Sequence, residues 1–177
     1  KGVYRLLPGH YLTYQNGELN VTQYFDPTLE PVSKDSQEEL VKKLSDVLED
    51  SVEKHMLADV EVGAFLSSGV DSSYIAAKYS GKKTFTVGFF DKNNQYSETQ
   101  YAEECAKYLG LENYSHQITE EEYWGEMPKI MYHMDEPLAD PAAIALYFVA
   151  REAAKQVKVV TSGEGADEFF GGYTIYR

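Results

Sequence analysis

Val60-Glu61-Val62-Gly63-Ala64-Phe65-Leu66-Ser67-Ser68-Gly69-Val70-Asp71-Ser72-Ser73 runs from a short apolar stretch, Val60 to Leu66, through a polar loop with one glycine into residues of helical spacing. A short apolar run followed directly by a helix reads as a buried strand, and strand–loop–helix is half of a parallel crossover unit. The alternation continues downstream. Ser72 to Tyr79 reads as a helix, Thr84 to Phe90 as a β-branched and aromatic strand, and Ser97 to Leu109 as a second helix. Tyr114 to Ile118 is a candidate third strand, Glu120 to Tyr132 and Ala142 to Ala154 are two further helices, and Val157 to Thr161 is a fourth strand opening into a glycine-rich turn. The pattern predicts an α/β fold, a parallel sheet with helices on both faces.

Upstream the character of the chain changes. Leu40, Leu44, Val47, Leu48 and Val52 recur every three to four residues among charges, which predicts an amphipathic helix. Ser36, with Glu39 three residues later, has the form of a capping box at its start. Asp26 to Lys34, with Pro27 and Pro31, reads as a linker. Before it, strand-like stretches His10 to Tyr14 and Leu19 to Phe25 flank Gln15-Asn16-Gly17-Glu18, and Asn-Gly in that setting predicts a hairpin. A lone hairpin is marginal, so it either belongs to another domain or packs on the core; the expected organisation is a short β-hairpin remnant of another domain plus linker over residues 1–33, followed by an α/β domain over 34–177.

Bulk properties exclude several function classes. Lys and Arg number 16 against 29 Asp and Glu, a net charge of −13. That balance disfavours binding to nucleic acid, which is held by clustered cations, so an anionic substrate needs a local positive site. The longest apolar runs fall short of the roughly 18 residues a membrane span needs, and no membrane association is expected. Cys105 is the single cysteine and cannot form an internal disulfide. A cytoplasmic protein is the default reading, and an oligomer is compatible with it. Lys1 stands where an initiator Met is expected and the chain stops at Arg177 within an incipient helix, which reads as a piece excised from a longer protein.

Two loops carry the chemistry. In open parallel sheets ligands bind beyond the carboxyl ends of the strands, where both loops fall. In Leu66 to Ser73, backbone N–H groups and hydroxyls converge at a helix N-terminus, which suits a phosphate. Asp71 beside a phosphate requires a cation between them and reads as a magnesium ligand. The spacing and lysine of a Walker A loop are absent. An ordinary capped turn, with Asp71 or Ser72 as N-cap, is the plainer alternative. The second loop, Ser162-Gly163-Glu164-Gly165-Ala166-Asp167-Glu168, repeats the design of strand, small polar loop, and helix with an early aspartate. If the two strands are neighbours, the loops hold opposite sides of one nucleotide; a solvated acidic turn is the alternative for the second.

The Ser67-Ser68-Gly69-Val70-Asp71-Ser72 loop is similar to the PP-loop, SGGxDS, of the ATP-pyrophosphatase superfamily. Ser162 to Tyr173 and Asp135-Glu136-Pro137-Leu138-Ala139-Asp140-Pro141 resemble the synthetase domain of glutamine-hydrolysing asparagine synthetases, in the same order, and Leu7-Pro8-Gly9-His10 resembles the end of that family's glutaminase domain. The resemblance implies an adenine nucleotide alpha hydrolase-like, Rossmann-like fold and a ligase that uses ATP, Mg2+, aspartate and ammonia derived from glutamine. Aspartate would be activated as β-aspartyl-AMP with release of pyrophosphate, then amidated. Carried onto this chain, Ser67, Ser68, Gly69, Asp71 and Ser72 would cradle pyrophosphate, while Leu66, Val87, Ser162 and Gly163 would contact adenosine. Asp71 and Asp167 would hold the metal, and Glu164 would orient or deprotonate ammonia. Core packing is the alternative for Val87. Ser68 departs from the motif's first glycine: if that position requires positive φ, serine costs about 1 kcal/mol, and otherwise its hydroxyl adds a donor to phosphate, the preferred reading.

Weaker candidates remain. His10, His55, His116 and His133 lack metal-ligand spacing. Asp135, Glu136 and Asp140 either position a substrate or form a turn held by Pro137 and Pro141. Cys105 reads as structural, and the family's glutaminase depends on an N-terminal cysteine where this chain has Lys1, so glutamine hydrolysis is not expected. Weak or no turnover is expected of these residues alone, because the chain ends soon after the second loop, without further downstream basic residues to offset triphosphate charge. A β-lactam synthetase-like adenylating ligase and a non-catalytic nucleotide-binding module are the alternative functions.

Overall fold

A computed structural model of the chain describes residues 2–26, 28, 33–90, 98–135 and 140–176. Two compact units divide it after Val41. In the first, β1 (His10–Gln15) and β2 (Glu18–Gln23) pair antiparallel, with His10 opposite Gln23 and Gln15 opposite Glu18. Asn16 and Gly17 both take left-handed backbone (φ 54° and 85°), the two-residue turn whose twist matches the strands. Helix α1 (Gln37–His55) begins where the capping box predicts. The Glu39 N–H donates to Ser36 Oγ at 3.3 Å, and the Ser36 N–H donates to the Glu39 carboxylate at 2.8 Å. Of its apolar stripe, Val52 is buried and Leu48 half-buried, whereas Leu40, Leu44 and Val47 are exposed.

The second unit is the alternating one. Besides α1 from Lys42 onward, it contains β3 (Val62–Phe65), α2 (Val70–Lys78), β4 (Lys83–Phe89), α3 (Glu98–Leu109), β5 (Glu112–Ile118), α4 (Glu120–His133), α5 (Pro141–Ala153), β6 (Val159–Thr161), α6 (Ala166–Phe170) and a 3-10 turn at Thr174–Tyr176. The sheet is parallel throughout, in the order β5-β4-β3-β6. Alternate strand residues face opposite sides, and both sides are covered. On one, Ala64 and Leu66 pack with Val52 of α1, Ala76 of α2, and Ala102 and Ala106 of α3, where Cys105 also packs. On the other, Phe85 packs with Val149 and Ala153 of α5 and with Val157, and stacks on Tyr114 at 5.5 Å. Ile118, Ile130 of α4, and Ile144 and Phe148 of α5 extend that layer.

Strand order sets the position of the site. From β3 the chain steps to β4 and β5 on one side, then returns through α4 and α5 to place β6 on the other side of β3. The strand order therefore reverses beside β3, and a crevice lies at the carboxyl ends of β3 and β6. Local signals start the helices that make the return. Thr119 and Glu122 form a capping box on α4, and Asp140 Oδ1 accepts from the Ala142 N–H at 2.9 Å ahead of Pro141 at the start of α5. Asp140 is thus a helix cap; residues 136–139 of the acidic Asp135–Pro141 segment, like Ser97 at the expected start of α3, lie outside the described residues.

Candidate functional site

The crevice holds a cavity of about 310 Å³, within the size range of small-molecule sites. Leu66, Ser67, Gly69, Asp71 and Ser72 line it from the β3 side, Ser162, Gly163, Glu164 and Asp167 from the β6 side, and Val87 from β4. Ser68 is exposed and is not among the lining residues. The two loops meet because β3 and β6 are paired, Val62 opposite Val159 and Ala64 opposite Thr161. Gly163 comes so close to α2 that a Cβ there would lie 3.2 Å from the backbone of Asp71 and Ser72. A side chain at 163 would wedge the loops apart.

The first loop closes on itself. Ser67 and Ser72 bond through their hydroxyls at 2.7 Å, the Ser67 N–H donates to Ser72 Oγ at 3.1 Å, and the Gly69 N–H donates to Ser67 Oγ at 3.1 Å. The plainer reading of this segment as a side-chain-capped turn fails. The N-cap of α2 is Gly69, no side chain caps the helix, and Ser72 Oγ instead donates back to the Gly69 carbonyl at 3.2 Å. The first turn of α2 therefore keeps its partial positive charge without a capping side chain. Ser68 carries no left-handed strain, because the non-glycine positive φ angles among the described residues are those of Asn16 and Asp135. The serine in place of the motif's glycine costs nothing in backbone conformation.

In the second loop, α6 starts after Gly165, again with no capping side chain. Asp167 is half-buried against the turn that follows: the Gly172 N–H donates to the Asp167 carbonyl at 2.9 Å, and a Cβ at Gly172 would stand 1.9 Å from Asp167 Oδ1. Glu168 accepts a hydrogen bond from the Tyr173 hydroxyl at 2.7 Å. The cavity is thus edged by Asp71, Glu164, Asp167 and Glu168, and no Lys or Arg is among the described residues that line it. Two unit charges of like sign about 4 Å apart repel by about 4 kcal/mol at an effective dielectric near 20. The carboxylates would oppose a polyphosphate in such a site unless a cation lay between them. The donor set suits Mg2+, which keeps several waters and takes one or two carboxylates with phosphate oxygens. Among the described residues no group of three or more His, Cys, Asp or Glu forms a protein-only cage.

Sequence reasoning missed one wall of the cavity. Ala142, Ala145, Leu146 and Val149 of α5 line it, with Phe65 and Phe85 at its floor and Tyr173 at its edge. Spacing of three, four and seven marks those α5 positions as one helix face, and that was the available signal. Val87 packs in the core beside Phe85 and Ile118, the alternative considered for it, and it also lines the cavity.

The asparagine synthase family model matches residues 43–177. The chain belongs to the asparagine synthase family. Among relatives in that family, asparagine synthetase (glutamine-hydrolyzing) 1 of Bacillus subtilis is 49% identical over 180 residues, covering 99% of this chain and 28% of that protein. Amidase chyE of Penicillium rubens is 32% identical over 200 residues, covering 100% of this chain and 30% of its own length. Asparagine synthetase B (glutamine-hydrolyzing) of Escherichia coli is 30% identical over 190 residues, covering 96% of this chain and 33% of that protein. This asparagine synthase family chain therefore spans about a third or less of the length of these relatives.

Proposed function

We propose that the chain carries the ATP-activating part of an asparagine-forming ligase, in which ATP converts the β-carboxylate of aspartate to an acyl-adenylate and ammonia derived from glutamine then displaces AMP. The observation that carries this reading is the pairing of β3 with β6, which brings two carboxylate-bearing loops of an asparagine synthase family chain to one cavity. In the proposed arrangement the Ser67, Gly69 and Ser72 loop and the first turn of α2 receive the pyrophosphate, with Ser68 at the rim. Adenosine lies toward Leu66, Val87, Ser162 and Gly163, against the small residues of α5. Asp71 and Asp167 would hold Mg2+, which when bound offsets the charge growing on the departing pyrophosphate. Glu164, on the β6 loop between the two, accepts a hydrogen bond from the incoming ammonia and orients it toward the activated carbonyl.

The test uses a chimaera in which these residues replace their counterparts in the Bacillus subtilis relative, assayed for exchange of labelled pyrophosphate into ATP. Exchange that requires aspartate, is not supported by glutamate, and drops by at least about a hundredfold in Asp71→Asn is the expected result. The chain is also 32% identical to the amidase of Penicillium rubens, which favours a second reading with the same activation and a different carboxylate. Exchange with another amino acid and not with aspartate would select it, whereas ATP binding without exchange would leave a nucleotide-binding module.

A further inference from the structure

We infer that Thr86, a residue with no place in the motifs, is a positioning residue for the first phosphate loop; the inference rests on the nucleotide reading above. Thr86 sits on the central strand β4, is 2% exposed, and faces the side opposite to Phe85 and Val87. Its Oγ1 donates to the carbonyl of Leu66 at 2.7 Å. Leu66 is the last residue before the loop, and its N–H donates to the Phe85 carbonyl at 2.9 Å. Both backbone groups of Leu66 are thus held by consecutive residues of β4. In a continuing parallel ladder a backbone N–H two residues beyond Phe85 would take the Leu66 carbonyl. The register of β3 on β4 ends instead at Phe65 opposite Phe85, and a side-chain hydroxyl takes that carbonyl where the loop departs.

The bond has a fixed direction. A carbonyl only accepts, so the Thr86 hydroxyl proton points at Leu66, and the hydroxyl oxygen is left to accept the Asn113 Nδ2–H at 3.1 Å. Asn113 of β5 therefore orients Thr86, and Thr86 holds the base of the loop. β-branching restricts χ1 and keeps the hydroxyl in that rotamer. Thr84 supplies a matched comparison: it is 0% exposed, two residues earlier on the same face of β4, and its hydroxyl donates to the Glu112 carbonyl at 2.9 Å, away from the loop.

The experiment is calorimetric titration of the 177-residue chain with inorganic pyrophosphate and with ATP, each with Mg2+, alongside thermal melts, for Thr86→Val, Thr86→Ser and Thr84→Val. Both valine variants are expected to melt at lower temperature, since each removes the hydrogen bond of a buried threonine hydroxyl. Thr86→Val alone is expected to weaken both ligands, by about tenfold, with Thr86→Ser restoring most of the affinity and Thr84→Val binding as wild type does. Equal affinities in Thr86→Val and Thr84→Val would overturn the positioning role. A wild-type chain that binds neither ligand would sink the nucleotide reading and this inference together. Should Thr86→Val fail to fold, Asn113→Leu carries the test: weakened pyrophosphate binding supports the relay, and unchanged binding overturns it.

Discussion

Gly172 is placed where a single methyl group acts on one carboxylate. The nearest atom to a Cβ there is Asp167 Oδ1 at 1.9 Å, the end of a side chain that can rotate away. Gly172→Ala is therefore expected to fold with a melting temperature close to wild type while displacing the Asp167 carboxylate from the cavity. The Mg2+ concentration needed for half-maximal ATP binding should rise by about tenfold, a size typical of disturbed support around a metal ligand. ATP binding with an unchanged Mg2+ requirement would remove Asp167 from the proposed metal site. Residue-level legibility in the sequence was uneven for a physical reason. Ser67, Gly69, Asp71 and Ser72 announce themselves because one local loop holds them all, whereas Thr86 bonds Leu66 on another strand, a neighbour that only the fold brings close.

At the scale of elements, the joint between β5, α4 and α5 carries a charged network separate from the cavity. The Arg151 guanidinium on α5 lies 3.0 Å from Glu122 Oε1 and 3.7 Å from Glu126 of α4, and its Cζ stands 4.7 Å from the centre of the Phe148 ring. His116 Nε2 of β5 lies 3.1 Å from the same Glu122 oxygen. The Thr119 backbone N–H first, then Arg151, hold the Glu122 carboxyl down to about 2. A depressed folded-state value means that stabilisation is present above the ordinary carboxylate value of 4.5 and is lost as pH falls toward 2. Melting temperature should accordingly fall over that window, and Glu122→Gln should start lower at neutral pH and lose less across it. Parallel curves for the two proteins would deny Glu122 this role. Thr119 and Glu122 stand three residues apart in the form of a capping box, whereas 29 residues separate Glu122 from Arg151 and no local spacing pairs them.

For the whole molecule, a net charge of −13 and a cavity edged by carboxylates would govern how the proposed nucleotide approaches. Removing Mg2+ with a chelator should abolish ATP binding to the chain. Raising ionic strength at saturating Mg2+ should leave the association rate constant unchanged or increase it, since salt screens the repulsion between an acidic protein and an anionic ligand. A rate that falls with salt would point to a cationic approach surface. Much of the architecture was legible in the sequence alone. Alternating periodicities located each strand and helix of the sheet domain to within a few residues, because apolar spacing records which side of an element is buried, and two strand–loop–helix junctions with early aspartates marked both halves of the candidate site. Tertiary structure decided the rest: that β6 returns beside β3 rather than beyond β5, that α5 walls the cavity, and that much of the α1 stripe remains exposed. Periodicity states that a face is apolar and is silent about its partner. Only the packing of Phe85 under α5 and the close approach of Gly163 to α2 chose those partners, bringing together loops about a hundred residues apart.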